Sequence, residues 1–335
     1  MMTTRVSPPT GTTPPQRWRD TLLLLGLLVL VLAGLAGLAA ATGWQETRDQ
    51  LLRLGPLQMA LLLGLSLVNY AMRGLRWHLF ARRVGLPPDL VRDMRHYLGG
   101  FLMSVTPGRV GELVRVRWIR RETGLTLERT APLFLMDRAG DLVAMALILA
   151  GALALSTSGI AGAVPLAALA LAAAAIATNS RLLTALITRT YRVVGRWHRL
   201  FGRLRGMART LAHFSHSGVL AGAVALGLVG WLAEGYAFYL LLAWLGADTS
   251  VATAMAIFVF ATLAGGLTGA PGGLGGAEAT MIALLTLEGL PPETSIAATA
   301  VIRVTTLWFA IGIGAAIFPV AERLSKRKMH AVENR

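Results

Sequence analysis

The chain has 335 residues, of which 55% are hydrophobic and only 15% are charged, and its mean hydropathy is +0.60. Soluble domains are about half apolar and about a quarter charged. The stretches 22–41 and 142–177 contain no Asp, Glu, Lys or Arg, and about 20 such residues cross a bilayer as a helix. The sequence therefore predicts an all-α, polytopic integral membrane protein.

Two counts exclude other classes of protein. The chain has no cysteine, which excludes a disulfide scaffold, a thiol nucleophile and a thiolate metal site. Its formal net charge is +15, a balance that often indicates nucleic-acid binding. In a membrane protein, cytoplasmic loops that face anionic headgroups explain this charge better, so no nucleic-acid partner is expected.

The N-terminal tail over residues 1–20 is rich in Pro and Thr and has no apolar period, which predicts disorder. The first apolar run, 22–41, ends in three alanines and so resembles a cleavable signal peptide. It is longer than the usual signal core of about 7–15 residues, and further apolar segments follow. We therefore expect a retained first helix, with cleavage of residues 21–42 as the alternative.

The apolar stretches predict two membrane halves joined by a basic linker. The first half covers 21–178 and contains a first repeat at about 56–156, whereas the second half covers 215–321. A basic cytoplasmic tail is predicted over 322–335. Uninterrupted spans are expected near 56–72, 130–156, 160–178, 217–245 and 295–320.

Basic loops set the predicted orientation, because Lys and Arg are enriched on the cytoplasmic side. Two apolar stretches that Pro and Gly interrupt, 97–118 and 251–288, must then be re-entrant, the first from the cytoplasm and the second from outside. We expect a multi-pass protein of a prokaryotic plasma (inner) membrane, with both termini in the cytoplasm. Arginine is concentrated in the four segments 73–95, 115–129, 181–209 and 323–328.

The linker between the two halves, residues 179–214, has a pattern of its own. Its segment 181–209 carries eight arginines and no acid, and its apolar residues recur every three or four positions. This pattern predicts a basic amphipathic helix on the cytoplasmic surface, bound to anionic lipids, with Trp197 and Phe201 among the acyl chains. The same arginines are also compatible with a plain positive-inside linker.

The two interrupted stretches carry similar motifs. The first reads PGRVGE over Pro107–Glu112, and the second reads PGGLGGAE over Pro271–Glu278. An arginine follows the Glu after 26 positions in the first copy (Arg138) and after 25 in the second (Arg303). Because the predicted hairpins enter from opposite faces, the copies form an inverted repeat, which is typical of secondary transporters. The expected hinges are Pro107, Gly108, Gly111, Pro271, Gly272, Gly273 and Gly275.

Charged side chains within these segments form the candidate site. Each costs at least ~2.5–3.5 kcal/mol at mid-membrane and so needs a partner or water. Arginine suits a phosphate and glutamate suits an amine or a proton, which predicts a substrate site without metal or cofactor. Alternatively, the charges pair with each other and only lock the two repeats together. The candidate substrate-binding residues are Arg109, Glu112, Arg138, Asp141, Glu278 and Arg303.

Four elements of the sequence resemble a known family: Pro107–Glu112, Asp137-Arg138-x-x-Asp141, Pro271–Glu278 and Arg303. The family is the lysylphosphatidylglycerol synthase transmembrane region, or flippase-like domain, and the resemblance covers about residues 20–320. It implies translocation of an anionic, aminoacylated or polyprenyl-phosphate-linked lipid between leaflets. Asp137 and Trp308 depart from the family's usual Glu and Tyr, which leaves the headgroup open. No aminoacyl-transferase domain follows here, so enzymatic activity is not expected.

Two other functions stay open: a small-solute transporter on the same plan, and a membrane-embedded transferase or its accessory subunit. A cavity open sideways to the bilayer would favour a lipid, whereas an enclosed cavity would favour a solute. The acidic pair Asp137 and Asp141 could hold Mg²⁺, and His213 with His216 could chelate a metal, but ion pairing and interfacial packing explain both pairs better. A second copy of the chain or a separate lipid-modifying enzyme is the expected protein partner.

Overall fold

A computed structural model of the chain describes residues 49, 52, 54–155, 163–196, 198–214 and 216–333. All regular structure within these residues is helical and none of it is a strand, which confirms the predicted all-α fold. The predicted tail at 1–20, the first apolar run at 22–41 and Trp197 lie outside the described residues.

Twelve α-helices follow one another through the described residues, with short 3-10 segments and one π-helical turn between them. The helices are α1 (Pro56–Arg83), α2 (Leu90–Gly99), α3 (Val114–Thr123), α4 (Leu127–Leu155), α5 (Ala163–Thr178), α6 (Ser180–Val194), α7 (His198–Thr210), α8 (Ser217–Trp244), α9 (Val251–Leu267), α10 (Gly276–Leu287), α11 (Pro292–Arg303) and α12 (Phe309–Glu333). The 3-10 segments are Gly100–Val105, Pro107–Leu113, Leu211–Phe214 and Pro271–Gly273, and the π-helical turn is Val304–Trp308.

Three of the described helical segments are long and apolar enough to cross a membrane: Leu127–Leu155, Ser217–Trp244 and Pro292–Lys328. They coincide with three of the predicted spans. Helix α5 and most of α6 form a fourth candidate, a pair that bends by 91°. Long apolar helices of this kind agree with a multi-pass membrane protein.

Helix α1 is longer than the sequence predicts. The segment 73–95 is expected as a cytoplasmic basic loop, but α1 continues to Arg83, and Arg73 and Arg76 are buried inside the protein. This part of the prediction is wrong. The positive-inside rule counts every arginine as exposed to water. Arg73 and Arg76 are instead neutralised by carboxylates of another helix, and the rule does not consider such partners.

The two interrupted stretches form broken hairpins, as predicted. The first hairpin consists of α2, two 3-10 segments and α3, and the second consists of α9, Pro271–Gly273 and α10. Both breaks fall at a Pro-Gly step, because Pro cannot donate a helical hydrogen bond and Gly readily takes a left-handed conformation. The tips meet where the Gly108 backbone N–H donates to the Gly269 carbonyl (2.9 Å). A two-fold relation between the hairpins stays a prediction.

The basic linker differs from its prediction in two respects. It forms two helices, α6 and α7, because Gly195 (φ +62°) takes a left-handed conformation and ends α6. Phe201, expected among acyl chains, is buried in the protein with its ring 5.2 Å from that of Tyr191. Helix α6 nevertheless exposes the apolar side chains Leu182, Leu186 and Val193, and its position on a membrane surface stays a prediction.

Two clusters of buried apolar residues enclose the polar centre of the protein. The larger includes Phe238 and Trp231 of α8, and the smaller is aromatic and includes Trp77 and Tyr97. The Arg73 guanidinium lies 5.1 Å from the Trp231 ring and 5.9 Å from the Tyr97 ring. The buried charges therefore lie at the junction of the two clusters, where cation–π contacts help to stabilise them.

Candidate functional site

The second hairpin and α11 form a buried ion pair. Glu278 lies in the first turn of α10, and its Oε1 accepts a hydrogen bond from Arg303 Nε at 2.6 Å. The same guanidinium donates through Nη2 to the Gly272 carbonyl at 3.0 Å. Arg303 thus ties the hairpin break to the end of α11.

The first hairpin and α4 form the corresponding pair. Glu112 Oε2 lies 3.2 Å from an Arg138 nitrogen and 3.1 Å from an Arg115 nitrogen, and its Oε1 accepts a hydrogen bond from the Ser104 hydroxyl at 2.7 Å. The Arg138 side chain is 22% exposed, whereas that of Glu112 is 1% exposed. The carboxylate is therefore enclosed, and the arginine reaches outwards from it.

Helix α4 adds two carboxylates that bind arginines of α1. Arg76 lies 2.7 Å from Asp137 and 2.6 Å from Asp141, and Arg73 lies 2.7 Å from Asp141. Trp231 also donates its indole N–H to Asp141 at 3.2 Å. The i, i+4 carboxylates thus bind guanidinium groups, an arrangement that suits ion pairing better than Mg²⁺ coordination. The other pair that could chelate a metal, His213 with His216, is not assessed, because the His213 side chain lies outside the described part of the structure.

Three arginines of this network, Arg73, Arg76 and Arg115, are absent from the sequence-based candidates. A local signal exists for the first two, because Asn69, Arg73 and Arg76 are spaced as one helix face that continues the preceding apolar run. No local signal indicates that Arg115 is buried, since it stands at the start of a strongly basic segment. Its guanidinium lies over the Tyr97 ring at 4.3 Å, a contact between distant parts of the hairpin.

Two glycines make room for the most deeply buried arginine. A Cβ atom added to Gly140 or to Gly227 would lie 3.1 Å from Arg76 Nη1. These glycines belong to α4 and α8, which approach Arg76 from two sides. The network is therefore tightly packed at these glycines, and a larger side chain at either position would require its neighbours to shift by a few tenths of an ångström.

Arg109 has an unusual backbone. Its φ and ψ are +54° and +24°, and it is the only non-glycine residue with positive φ in the described part of the chain. The corresponding position of the second motif is Gly273, also left-handed with φ +72°. The Arg109 guanidinium makes no hydrogen bond or ion pair with another described residue. A side chain held in such a conformation is typical of a functional position.

The other predicted hinges behave in three ways. Pro107 and Pro271 each begin a 3-10 segment, as residues without a backbone N–H commonly do. Gly111 does not have positive φ; instead, a Cβ there would lie 2.6 Å from Thr106 Cγ2, so close packing requires the glycine. Left-handed φ values occur at Gly108, Gly272, Gly273 and Gly275.

The hairpin tips border a cavity of about 310 Å³. Arg109, Arg138 and Arg303 line it together with Asp141, whereas Glu112 and Glu278 stand behind the arginines and do not line it. The lining therefore carries three guanidinium groups, which come from the first hairpin (Arg109), α4 (Arg138) and the end of α11 (Arg303). The remaining wall is largely apolar, and it includes Leu142, Met145, Leu166, Leu169, Ala170, Ala173, Leu263 and Leu267.

Arg303 is followed directly by the π-helical turn Val304–Trp308. The Tyr70 hydroxyl of α1 donates a hydrogen bond to the Thr306 carbonyl oxygen within this turn. A π-helical turn widens the backbone and leaves carbonyl groups without their usual helical partners. The turn therefore connects α1 to the element that carries Arg303.

Comparison with known proteins places this architecture in a family. Residues 23–314 match the family described as "Lysylphosphatidylglycerol synthase TM region". Two UPF0104 membrane proteins of Methanothermobacter thermautotrophicus are similar to the chain. One is 25% identical over 88% of this chain and 94% of the relative; the other is 31% identical, but over only 36% of each. The chain thus belongs to the lysylphosphatidylglycerol synthase TM region family of membrane proteins.

Proposed function

We propose that this protein is a translocase that moves a phosphate-bearing lipid between leaflets by alternating access. The observation that carries the proposal is the cavity at the hairpin tips, whose lining combines three arginines with many apolar side chains. Arginine binds phosphate through a planar, bidentate set of donors and stays charged inside a protein. The headgroup would bind at the arginines. Moving a lipid between leaflets breaks no covalent bond, so this function requires no catalytic residue.

The wall of the cavity favours a lipid over a small solute. Leu169 of α5 and Leu267 of α9 line it, and these side chains are 53% and 64% exposed. Apolar side chains that face a polar solute bury no apolar surface of the ligand and so contribute little free energy of binding. Acyl chains, in contrast, can pack along these side chains between the cavity and the bilayer. An anionic, aminoacylated or polyprenyl-phosphate-linked lipid would fit this combination of charge and apolar wall.

Each repeat would offer its arginine to the phosphate in turn. In the resting state Glu112 and Glu278 hold Arg138 and Arg303, which avoids leaving unpaired buried charges. The phosphate would bind the guanidinium donors that face the cavity while the carboxylate stays bound, so that no buried charge loses its partner. Because both carboxylates stand behind their arginines rather than in the cavity, they would position the guanidinium groups and leave the phosphate to contact arginine alone.

The cellular setting belongs to the same proposal. A prokaryotic plasma membrane, with both termini in the cytoplasm, agrees with the basic segments of the sequence. Helix α6 carries exposed Arg181, Arg189 and Arg192 beside its exposed apolar residues, so this helix would lie on the anionic cytoplasmic leaflet. A second copy of the chain or a lipid-modifying enzyme would be its protein partner.

A reconstituted scrambling assay tests the function. Vesicles containing the protein and a tail-labelled fluorescent phosphatidylglycerol are treated with an impermeant quencher, and the rate at which inner-leaflet label becomes accessible is measured. We expect Arg303→Ala to be nearly inactive, Arg303→Lys to be partly active because it loses the bidentate contact, and Glu278→Gln to be impaired. Arg83→Ala, an exposed arginine at the end of α1, is the matched control and should retain the rate.

The same variants separate transport from a purely structural ion pair. Removing one partner of a buried pair costs about 3–5 kcal/mol, and removing both can restore stability. Thermal unfolding in detergent is therefore measured on Arg303→Ala, Glu278→Ala and the double variant. If the double variant recovers both stability and scrambling, the pair is scaffold and the site assignment is wrong. Uptake of soluble phosphate compounds without lipid scrambling would instead favour a solute transporter.

A further inference from the structure

A second, smaller cavity adjoins the one that receives the headgroup. Its volume is about 50 Å³, and it shares Arg109, Trp231, Thr262 and Arg303 with the larger cavity. A space of this size with polar walls can hold ordered water. Glu234 lines this smaller cavity and does not line the larger one.

Glu234 differs from every other acidic residue of the polar centre. It lies on α8 and is 4% exposed, yet its carboxyl group makes no ion pair or hydrogen bond with another described residue. In contrast, Glu112, Glu278 and Asp141 each bind an arginine within 3.2 Å. A buried carboxylate without a partner costs far more free energy than the buried neutral acid. The mechanism above does not use this group.

The charged and titratable groups around Glu234 come from four elements, whereas α9, which also packs against α8, has no titratable side chain. Arg73 and Tyr70 approach from α1, Arg109 from the first hairpin, Asp141 from α4 and Arg303 from α11. Arg73 is bound to Asp141 and Arg303 to Glu278, whereas Arg109 has no such partner. The positive charges of Arg73, Arg109 and Arg303 favour the ionised form of Glu234, and the last two of these arginines also line the larger cavity.

We propose that Glu234 binds a proton together with the lipid phosphate, so that each anionic headgroup crosses the membrane with one proton. This inference rests on the proposed function. A phosphate that enters between Arg109 and Arg303 adds a negative charge and offsets two of the three positive charges that favour ionised Glu234. A hydronium ion that reaches the smaller cavity gives its proton to a carboxylate oxygen of Glu234: an O–H bond of the hydronium breaks, the O–H bond of the neutral acid forms, and a water molecule is released. By linkage, protonation strengthens phosphate binding to the same degree.

The test measures binding and proton uptake on the full chain in detergent. The probe is dihexanoylphosphatidylglycerol, whose phosphodiester keeps one negative charge between about pH 6 and pH 8. Calorimetry in buffers of different ionisation enthalpy gives the Kd and the number of protons taken up per probe. We expect binding to tighten by about tenfold from pH 8 to pH 6, within the usual range of coupling, with uptake of a fraction of a proton near neutral pH.

Variants separate this inference from the proposed function. Glu234→Gln mimics the protonated acid, so its binding should be independent of pH, as tight as the low-pH limit of the unaltered protein, and free of proton uptake. Glu288→Gln changes an exposed carboxylate and should behave like the unaltered protein. Absence of probe binding by the unaltered protein would overturn the proposed function. Binding with an unchanged pH profile in Glu234→Gln would overturn the proton inference alone.

The test must also exclude that Glu234 binds a positively charged lipid headgroup instead of a proton. Dihexanoylphosphatidylethanolamine is measured in parallel, because its ammonium group could pair with ionised Glu234. If this probe binds more tightly than the phosphatidylglycerol, and Glu234→Gln removes the difference, the residue recognises an ammonium group and the proton inference is wrong. Equal or weaker binding of the ethanolamine probe supports it.

Discussion

Replacing Arg109 by glycine separates the cost of its backbone from the use of its side chain. A left-handed conformation costs a non-glycine residue about 1–2 kcal/mol, and Arg109 has φ +54°. Glycine removes this cost but loses about 0.5–1 kcal/mol through the greater freedom of the unfolded chain. Because the guanidinium makes no ion pair that would be lost, we expect Arg109→Gly to leave the protein as stable as before or more stable by about 1 kcal/mol.

The matched comparison is Arg109→Ala. Alanine also removes the guanidinium, but its Cβ atom keeps the left-handed penalty, so this variant should unfold at a lower temperature than Arg109→Gly. A difference of 1 kcal/mol corresponds to about 2 °C in a protein of this size. Thermal unfolding is measured in detergent and lipid scrambling in vesicles. Both variants should scramble lipid much more slowly than the unaltered protein, since each loses one of three phosphate-binding arginines.

Two results would refute this reasoning. If Arg109→Gly unfolds at a lower temperature than Arg109→Ala, a Cβ atom at this left-handed position does not destabilise the protein. If both variants scramble lipid at the original rate, Arg109 does not bind the headgroup, and its conformation serves only the packing of the hairpin tips. A stabilised but inactive glycine variant would show that stability is given up at this position for function.

Three further predictions concern packing, topology and the surface helix. Gly227→Ala should destabilise the protein by about 1–3 kcal/mol in thermal unfolding, since the added Cβ would lie 3.1 Å from an Arg76 nitrogen, whereas Gly218→Ala, where nothing lies within 4 Å, should be tolerated. Single cysteines at the exposed positions Val91 and Arg120 should react with an impermeant maleimide from the same side of the membrane; labelling from opposite sides would contradict a re-entrant first hairpin. Anionic lipid should raise the melting temperature more than zwitterionic lipid does, because each arginine near an anionic surface contributes about 1 kcal/mol of binding. Replacing three arginines on α6 and just beyond it by Gln should reduce this difference in melting temperature, and an unchanged difference would contradict surface binding. The three positions are Arg189, Arg192 and Arg196.

Local features of the sequence were sufficient to predict the hairpin breaks and to indicate that the charges near them need partners. Pro107 and Pro271 interrupt helices whatever surrounds them, and the following glycine permits the turn. Glu278 and Arg303 stand out because charges are rare in apolar segments and must find partners there. The family, the helical fold and the position of both breaks therefore follow from residues that are close together in the chain.

Features that depend on distant contacts could not be predicted in this way. Arg73 and Arg76 resemble positive-inside residues until α4 supplies Asp137 and Asp141, which lie more than 60 positions later. Nothing local distinguishes Glu234 as an acid without a partner, since partnership is a property of the folded protein. The helix end at Gly195 could have been predicted, because a glycine commonly follows the last turn of a helix. The regular apolar spacing on both sides of this glycine instead indicated one continuous helix.

The π-helical turn at Val304–Trp308 has a consequence for the way in which the last span is assembled. Such a turn accommodates one residue more than an α-helix of the same length, and each residue of an α-helix advances about 100° around its axis. An additional residue in a regular α-helix would rotate all of α12 by roughly that angle, and the π-helical turn absorbs this rotation. Gly314, whose Cα approaches the backbone of Leu102 closely, thereby keeps its place against the first hairpin. Deleting one residue from the turn would close it into regular α-helix without rotating Arg303 and α12 relative to each other, so the packing at both ends of the last span would survive the deletion.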